Sequence, residues 1–131
     1  MVLAITILSS VFLAMVNIKE VDKTKELLSL YNKLITYDIQ EGKDNFRSYK
    51  INGQDIRVSI IDKEGQVLYD SLGNLEDNHG NREEIVEAFN KGESSIIRFS
   101  DTVGKDLVYY ATKVDDDIVI RTSAQVSDTN V

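Results

Sequence analysis

Five side chains carry most of the chemistry this sequence can offer: His79, Arg82, Arg98, Tyr109 and Arg121. His79 and Arg82 flank the start of a helix signalled by the run from Asn81 to Glu84, while Arg98, Tyr109 and Arg121 fall on separate strand-like runs that could converge on one sheet face. A guanidinium is permanently charged and presents a planar fork of donors that matches a carboxylate or phosphate. The free amides of a helix start beside Arg82 favour an anion too, although a cap from Asn81 would use some of them. Each residue also has a plainer reading. His79 can bond backbone in a loop, Arg82 can hold that loop to the sheet, and Arg98 and Arg121 can pair with Asp or Glu. Tyr109 can serve as packing, with a hydroxyl that needs a partner. The five are therefore candidates for contacting a ligand, and the alternatives stay open at this level.

Other chemistries find less support. One imidazole without clustered partners is not a metal site, and the acidic run Asp115-Asp116-Asp117 lacks the spaced oxygen ligands of a calcium loop. The chain has no cysteine, so there is neither a thiolate nucleophile nor a disulfide framework. No phosphate-cradling glycine loop, His-Glu-x-x-His pair or nucleophile elbow occurs. No catalytic residue, metal or cofactor is expected in this segment. With 22 acidic against 15 basic residues and a net charge of -7, nucleic acid is not an expected partner.

The elements that must position these side chains begin with RVSIIDKEGQVLYDS, residues 57–71, read as two strands around a tight turn. Ile56, Val58 and Ile60 share one face with Arg57 and Ser59 opposite, and Val67 and Tyr69 alternate with Leu68 and Asp70, as in a half-buried hairpin. Asp62 opens the turn and Gly65 supplies its positive φ. A turn-rich loop follows at residues 72–80. The spacing then predicts a helix capped by Asn81, with Glu84 as its reciprocal capping-box partner and Gly92 as its stop. Strands are predicted at residues 94–100, 107–114 and 118–124, the first two joined by a turn at Gly104.

Upstream, residues 1–18 carry no charge and read as a transmembrane or signal-anchor segment, complete or truncated. Residues 19–41 form an amphipathic pattern on Val21, Leu28, Tyr31, Ile35 and Ile39, in which Lys25 and Asn32 interrupt any coiled-coil seam. A polar connection follows, with Phe46 and Tyr49 as anchors and a turn at Asn52-Gly53. The expected fold is α+β, a five-stranded antiparallel sheet with a long N-terminal helix and a short mid-chain helix.

Read in order, RVSIIDKEGQVLYDS, NHGNREEIVEAFNKGES and IRFSDTVGKDLVYYATKV resemble the extracytoplasmic sensor region of PhoR-like and WalK-like bacterial two-component histidine kinases, a PAS/Cache (PDC)-like domain. The resemblance rests on Asp62, Gly65, Tyr69, Asp70 and Ser71, then Asn78, His79, Arg82 and Glu84, then Gly92, Arg98, Gly104, Tyr109 and Ala111. It implies a membrane segment at 1–18, a juxtamembrane helix and connection at 19–53, a sensor domain at 54–127, and at 128–131 the start of a linker to a downstream region. It also implies a homodimer in the bacterial cell membrane, with residues after 18 extracytoplasmic and a small molecule or envelope protein as stimulus. ATP and Mg would belong only to the kinase region, and His79 is not the phosphoacceptor. The alternative is a protein-interaction or dimerisation module that takes no small molecule.

Overall fold

A computed structural model describes residues 2–100 and 104–126, without the side chains of 2–9, 12–14, 16 and 17. With no glycine or proline before Gly42, the first segment runs as one helix, α1 (Val2–Gln40). Among the described residues no helix is long and apolar enough to cross a membrane. Most side chains of the membrane segment expected at 1–18 lie outside the described residues.

After α1 the chain makes a small ribbon of β1 (Lys50–Ile51) and β2 (Gln54–Asp55). Asn52 and Gly53, at φ 53° and 78°, form its two-residue turn; Asn and Gly are the residues that tolerate this left-handed pair. Phe46 meets Tyr69 edge to face at 5.2 Å, and Tyr49 stacks on Tyr31 at 4.4 Å, so both aromatics tie the connection down.

The main sheet consists of β3 (Arg57–Asp62), β4 (Val67–Asp70), β5 (Glu93–Ser100), β6 (Lys105–Lys113) and β7 (Ile118–Gln125), with α2 (Glu83–Lys91) between β4 and β5. Its order is β4-β3-β7-β6-β5 and every pairing is antiparallel. The last strand thus lies at the centre. Its residues 119–123 are all buried, because α1 covers one face and α2 the other.

The face under α1 packs Val21, Leu28 and Ile35 against Val58, Ile60, Val108 and Ile120. The face under α2 holds the smaller cluster Ile61, Val67, Ile85, Ala88, Ala111 and Val119. Asn32, fully buried, donates to the Tyr110 carbonyl at 3.1 Å and the Thr112 hydroxyl at 3.0 Å, and accepts from the Thr122 hydroxyl at 2.7 Å. The residue that spoils a coiled-coil seam is therefore the polar clamp by which α1 docks on the sheet.

Two local expectations are corrected. The hairpin alternation fails after Ile60: Ile60 pairs with Tyr69 and Ile61 with Val67, leaving Leu68 as the extra residue of a bulge. Val67 and Tyr69 consequently face opposite sides, and Val67 and Asp70 are the buried residues of β4. Asn81 does not cap α2. The N-cap is Arg82, with extended backbone and no side-chain cap bond, and Asn81 is exposed. Glu84 is drawn away from any capping box by two arginines, whose charge-assisted bonds are stronger than a neutral cap bond.

Candidate ligand-binding site

Glu84 is the centre from which the site is built. It sits in the first turn of α2, fully buried, and both oxygens are engaged. Arg98 from β5 forks onto it at 3.2 and 2.8 Å, and Arg121 from β7 reaches it at 3.2 Å. Burial alone would push this carboxyl upward; the bonds and charges of Arg98 and Arg121, with the Glu84 amide, hold it below the usual carboxylate range. Both guanidiniums also lie over the Tyr109 ring, at 4.9 and 5.4 Å from its centroid. The electron-rich face of the ring thus adds to the binding of both cations.

Arg121, 5% exposed, spends its other terminal nitrogen on His79 Nδ1 at 2.7 Å. Because guanidinium only donates, that imidazole nitrogen accepts and His79 is neutral. Burial first, then the charges of Arg121 and Arg82, press its pKa below the ordinary histidine value.

The β3–β4 hairpin places His79. Asp62 Oδ1 accepts the amides of Glu64 and Gln66 at 3.0 and 2.8 Å, shaping the turn. Gly65 follows at φ 85°, and a Cβ there would run into Asn78 and the Gly80 backbone. The loop can lie this close only because Gly65 has no side chain. The Gly65 carbonyl then accepts the His79 amide at 2.9 Å, while Asn78 bonds the Glu64 carbonyl at 3.0 Å. At the hairpin's other end Asp70 holds Arg57 by two bonds, at 2.9 and 3.1 Å, and accepts from Ser59 and the Asn74 amide. Burial would raise the Asp70 carboxyl, but Arg57, Asn74 and Ser59 together lower it.

These elements enclose a chamber of about 280 Å³ lined by Arg57, Asn74, Asp77, His79, Arg82, Arg98, Ser100, Tyr109 and Arg121. All five candidates, His79, Arg82, Arg98, Tyr109 and Arg121, stand on its wall. Sequence reasoning missed Arg57, Asn74, Asp77 and Ser100 as site residues. For Arg57 the signal was present, since it alternates with Val58 and shares a face with Ser59. Its meaning needed the knowledge that β7 pairs beside it, placing Ser59 opposite Arg121. Glu84 was legible only as a capping residue, and Asp70 as an exposed polar residue of the hairpin open to chemistry, whereas the structure buries it against Arg57.

The chamber has four guanidiniums, while the carboxylates within or bonded to it are Asp70, Asp77 and Glu84. The site is therefore locally cationic in a chain of net charge -7. The Arg82 guanidinium has no hydrogen bond or ion pair among the described residues, although its backbone bonds His79, Ile85 and Val86. Among these residues no cluster of His, Cys, Asp and Glu could hold a metal ion. Of the remaining turn glycines, Gly92 closes α2 and Gly104 precedes β6, its amide bonded to the Ser100 carbonyl at 2.7 Å.

A central antiparallel sheet, a long helix on one face, and a side-chain-lined chamber beside a short helix on the other define a sensor-type domain. The chain belongs to the Single Cache-like family, whose model matches residues 48–119. No curated protein and no solved structure matches it. The matched span runs from the β1–β2 ribbon into β7 and includes every chamber residue except Arg121.

Proposed function

We propose that the chain is the extracytoplasmic sensing region of a membrane-bound two-component histidine kinase, and that its stimulus is a small anion held in the arginine chamber. The observation carrying this reading is the excess of guanidinium over carboxylate around a half-open chamber, with the Arg82 side chain unpaired at its edge. Membership of the Cache-like family supports a sensing role, and the ordered motifs shared with PhoR-like and WalK-like kinases support the parentage. Residues 1–18 would anchor the domain in the membrane.

The route outward runs through adjacent strand residues. Arg121 faces the chamber and Thr122, next in β7, bonds Asn32 of α1; Tyr109 and Tyr110 make the same pair on β6. A ligand that shifts these strands would shift α1, provided it binds the two arrangements unequally. In the parent protein, a Gly-Gly insertion beside Asn32 should uncouple stimulus from autophosphorylation.

Calorimetric titration with small carboxylates, amino acids and inorganic phosphate tests the ligand reading. At least one class should bind, and Arg82→Ala should weaken that binding about tenfold or more, as expected for a lost charged hydrogen bond. Absence of anion binding, or an Arg82→Ala protein that binds as the wild type does, would remove it.

A second reading, dimerisation through α1, has its own observation. Leu27, Leu30, Leu34 and Tyr37 recur at threes and fours on a flank of the helix, and Leu30 and Tyr37 are exposed. Sedimentation of Leu30→Glu and Tyr37→Glu variants should report monomers where the parent chain gives dimers. A parent chain that sediments as a monomer at all concentrations would dispose of this arrangement.

A further inference from the structure

The arginine chamber does not end at its own walls. A second cavity of about 420 Å³ shares Arg57, Asn74, Ser100 and Tyr109 with it. Beyond this shared boundary the lining changes. Ile51, Leu72, Leu107 and Ala124 supply apolar surface there beside the polar Gln54, Asp55, Ser123 and Gln125, and no further arginine is present. Leu107 pairs with Arg98 on the neighbouring strand, so the apolar wall begins one step along the sheet from the Glu84 cluster.

From this adjacency we infer that the ligand is an amphipathic organic anion: a charged head in the arginine chamber and a short apolar tail lying along Ile51, Leu72 and Leu107. The inference rests on the anion-sensing reading above and adds the ligand's second half to it. A small inorganic anion would satisfy the first chamber and leave the second filled only with water. A hydrocarbon tail replaces that water and buries apolar wall, which is favourable in proportion to the area covered. Asp55, also on the second wall, disfavours a second anionic group at the far end, so the class carries one anionic head group rather than an acid at each end. The combined space falls within the range usual for small-molecule sites.

Titration of the full 131-residue chain with acetate, butyrate, hexanoate and octanoate, and in parallel with methyl, butyl and hexyl phosphate, reads this directly. Affinity should rise by roughly threefold to fourfold for each methylene that enters the apolar cavity, then level off as it fills. The head group that binds, carboxylate or phosphate, is given by which series shows the rise. Leu107→Ser should flatten the dependence on chain length. Leu72→Ser, at an exposed loop position, makes the same test should the strand variant fail to fold. Short members binding as tightly as long ones would overturn the amphipathic assignment and leave anion sensing standing. No binding by either series, with amino acids and phosphate also silent, would remove both.

Discussion

Under α1, the sheet packs aliphatic side chains around a single polar clamp, Asn32, whose three hydrogen bonds are all made within the protein. Under α2, a smaller aliphatic cluster gives way to Glu84, Arg98, Arg121 and His79, and then to an open chamber. Both faces bury polar groups, yet they differ in what remains. Asn32 is matched donor for acceptor, which suits it to holding α1 in one position on the sheet. The guanidiniums are satisfied only in part by carboxylate, so the other face retains capacity for an anion. The contrast shows how one sheet can serve as both rigid mount and receptor, because neighbouring residues in a strand point to opposite sides.

The largest test of that contrast is Glu84→Gln. It keeps the side-chain volume but leaves Arg98 and Arg121 without their shared carboxylate, and breaking a buried ion pair typically costs about 3–5 kcal/mol. Denaturant unfolding should show a loss of that order; a loss below about 1 kcal/mol would mean that the cluster is not what holds the α2 face. Asn32→Ala should cost less, about 1–3 kcal/mol, by stranding the Thr122 hydroxyl and Tyr110 carbonyl. Its ligand affinity should stay near that of the wild type, and a matching loss of affinity would blur the division between the faces.

Acid should act on the α2 face in two stages. The folded pKa values of Glu84 and Asp70 are lowered, so their stabilisation is present above the unfolded values near 4 and is lost as pH falls through the folded ones. His79 is likewise lowered, and its contribution declines as pH drops from about 6.5 toward its folded pKa. Stability measured against pH should therefore sag mildly below about 6.5 and fall more steeply below about 4. His79→Gln should erase the first step and spare the second. The smallest effect on stability belongs to Arg82→Ala, expected within about 0.5 kcal/mol because the side chain is exposed and unpaired. Its separation of binding from stability would sharpen the comparison most.

Local patterns in the sequence account for a good deal of this molecule. Periodicity and turn signals located residues 19–40 of α1 and the five strands of the main sheet, since such repeats and turns are properties of neighbouring residues. Asp62, Gly65 and Asn52-Gly53 announced their turns through backbone preferences that each residue carries alone. The five candidate side chains were also visible as types. Their meeting on one sheet face was visible only as one possibility among others. Arg98, Tyr109 and Arg121 converge through the register of β5, β6 and β7, three consecutive strands joined by short turns, whereas Arg57 joins them because β7 also pairs with β3 far upstream. Packing of α2 on that sheet turned Glu84 from a capping residue into the anchor of two arginines, and docking of α1 on the opposite face gave Asn32 its partners 78 to 90 residues away. The bulge at Leu68, which reverses the alternation of β4, likewise depends on register against β3. Sequence by itself determined the elements and their turns, because those follow from local backbone and hydrophobic preferences; tertiary structure alone decided which charges face one another, because only strand order and register put them within hydrogen-bonding reach.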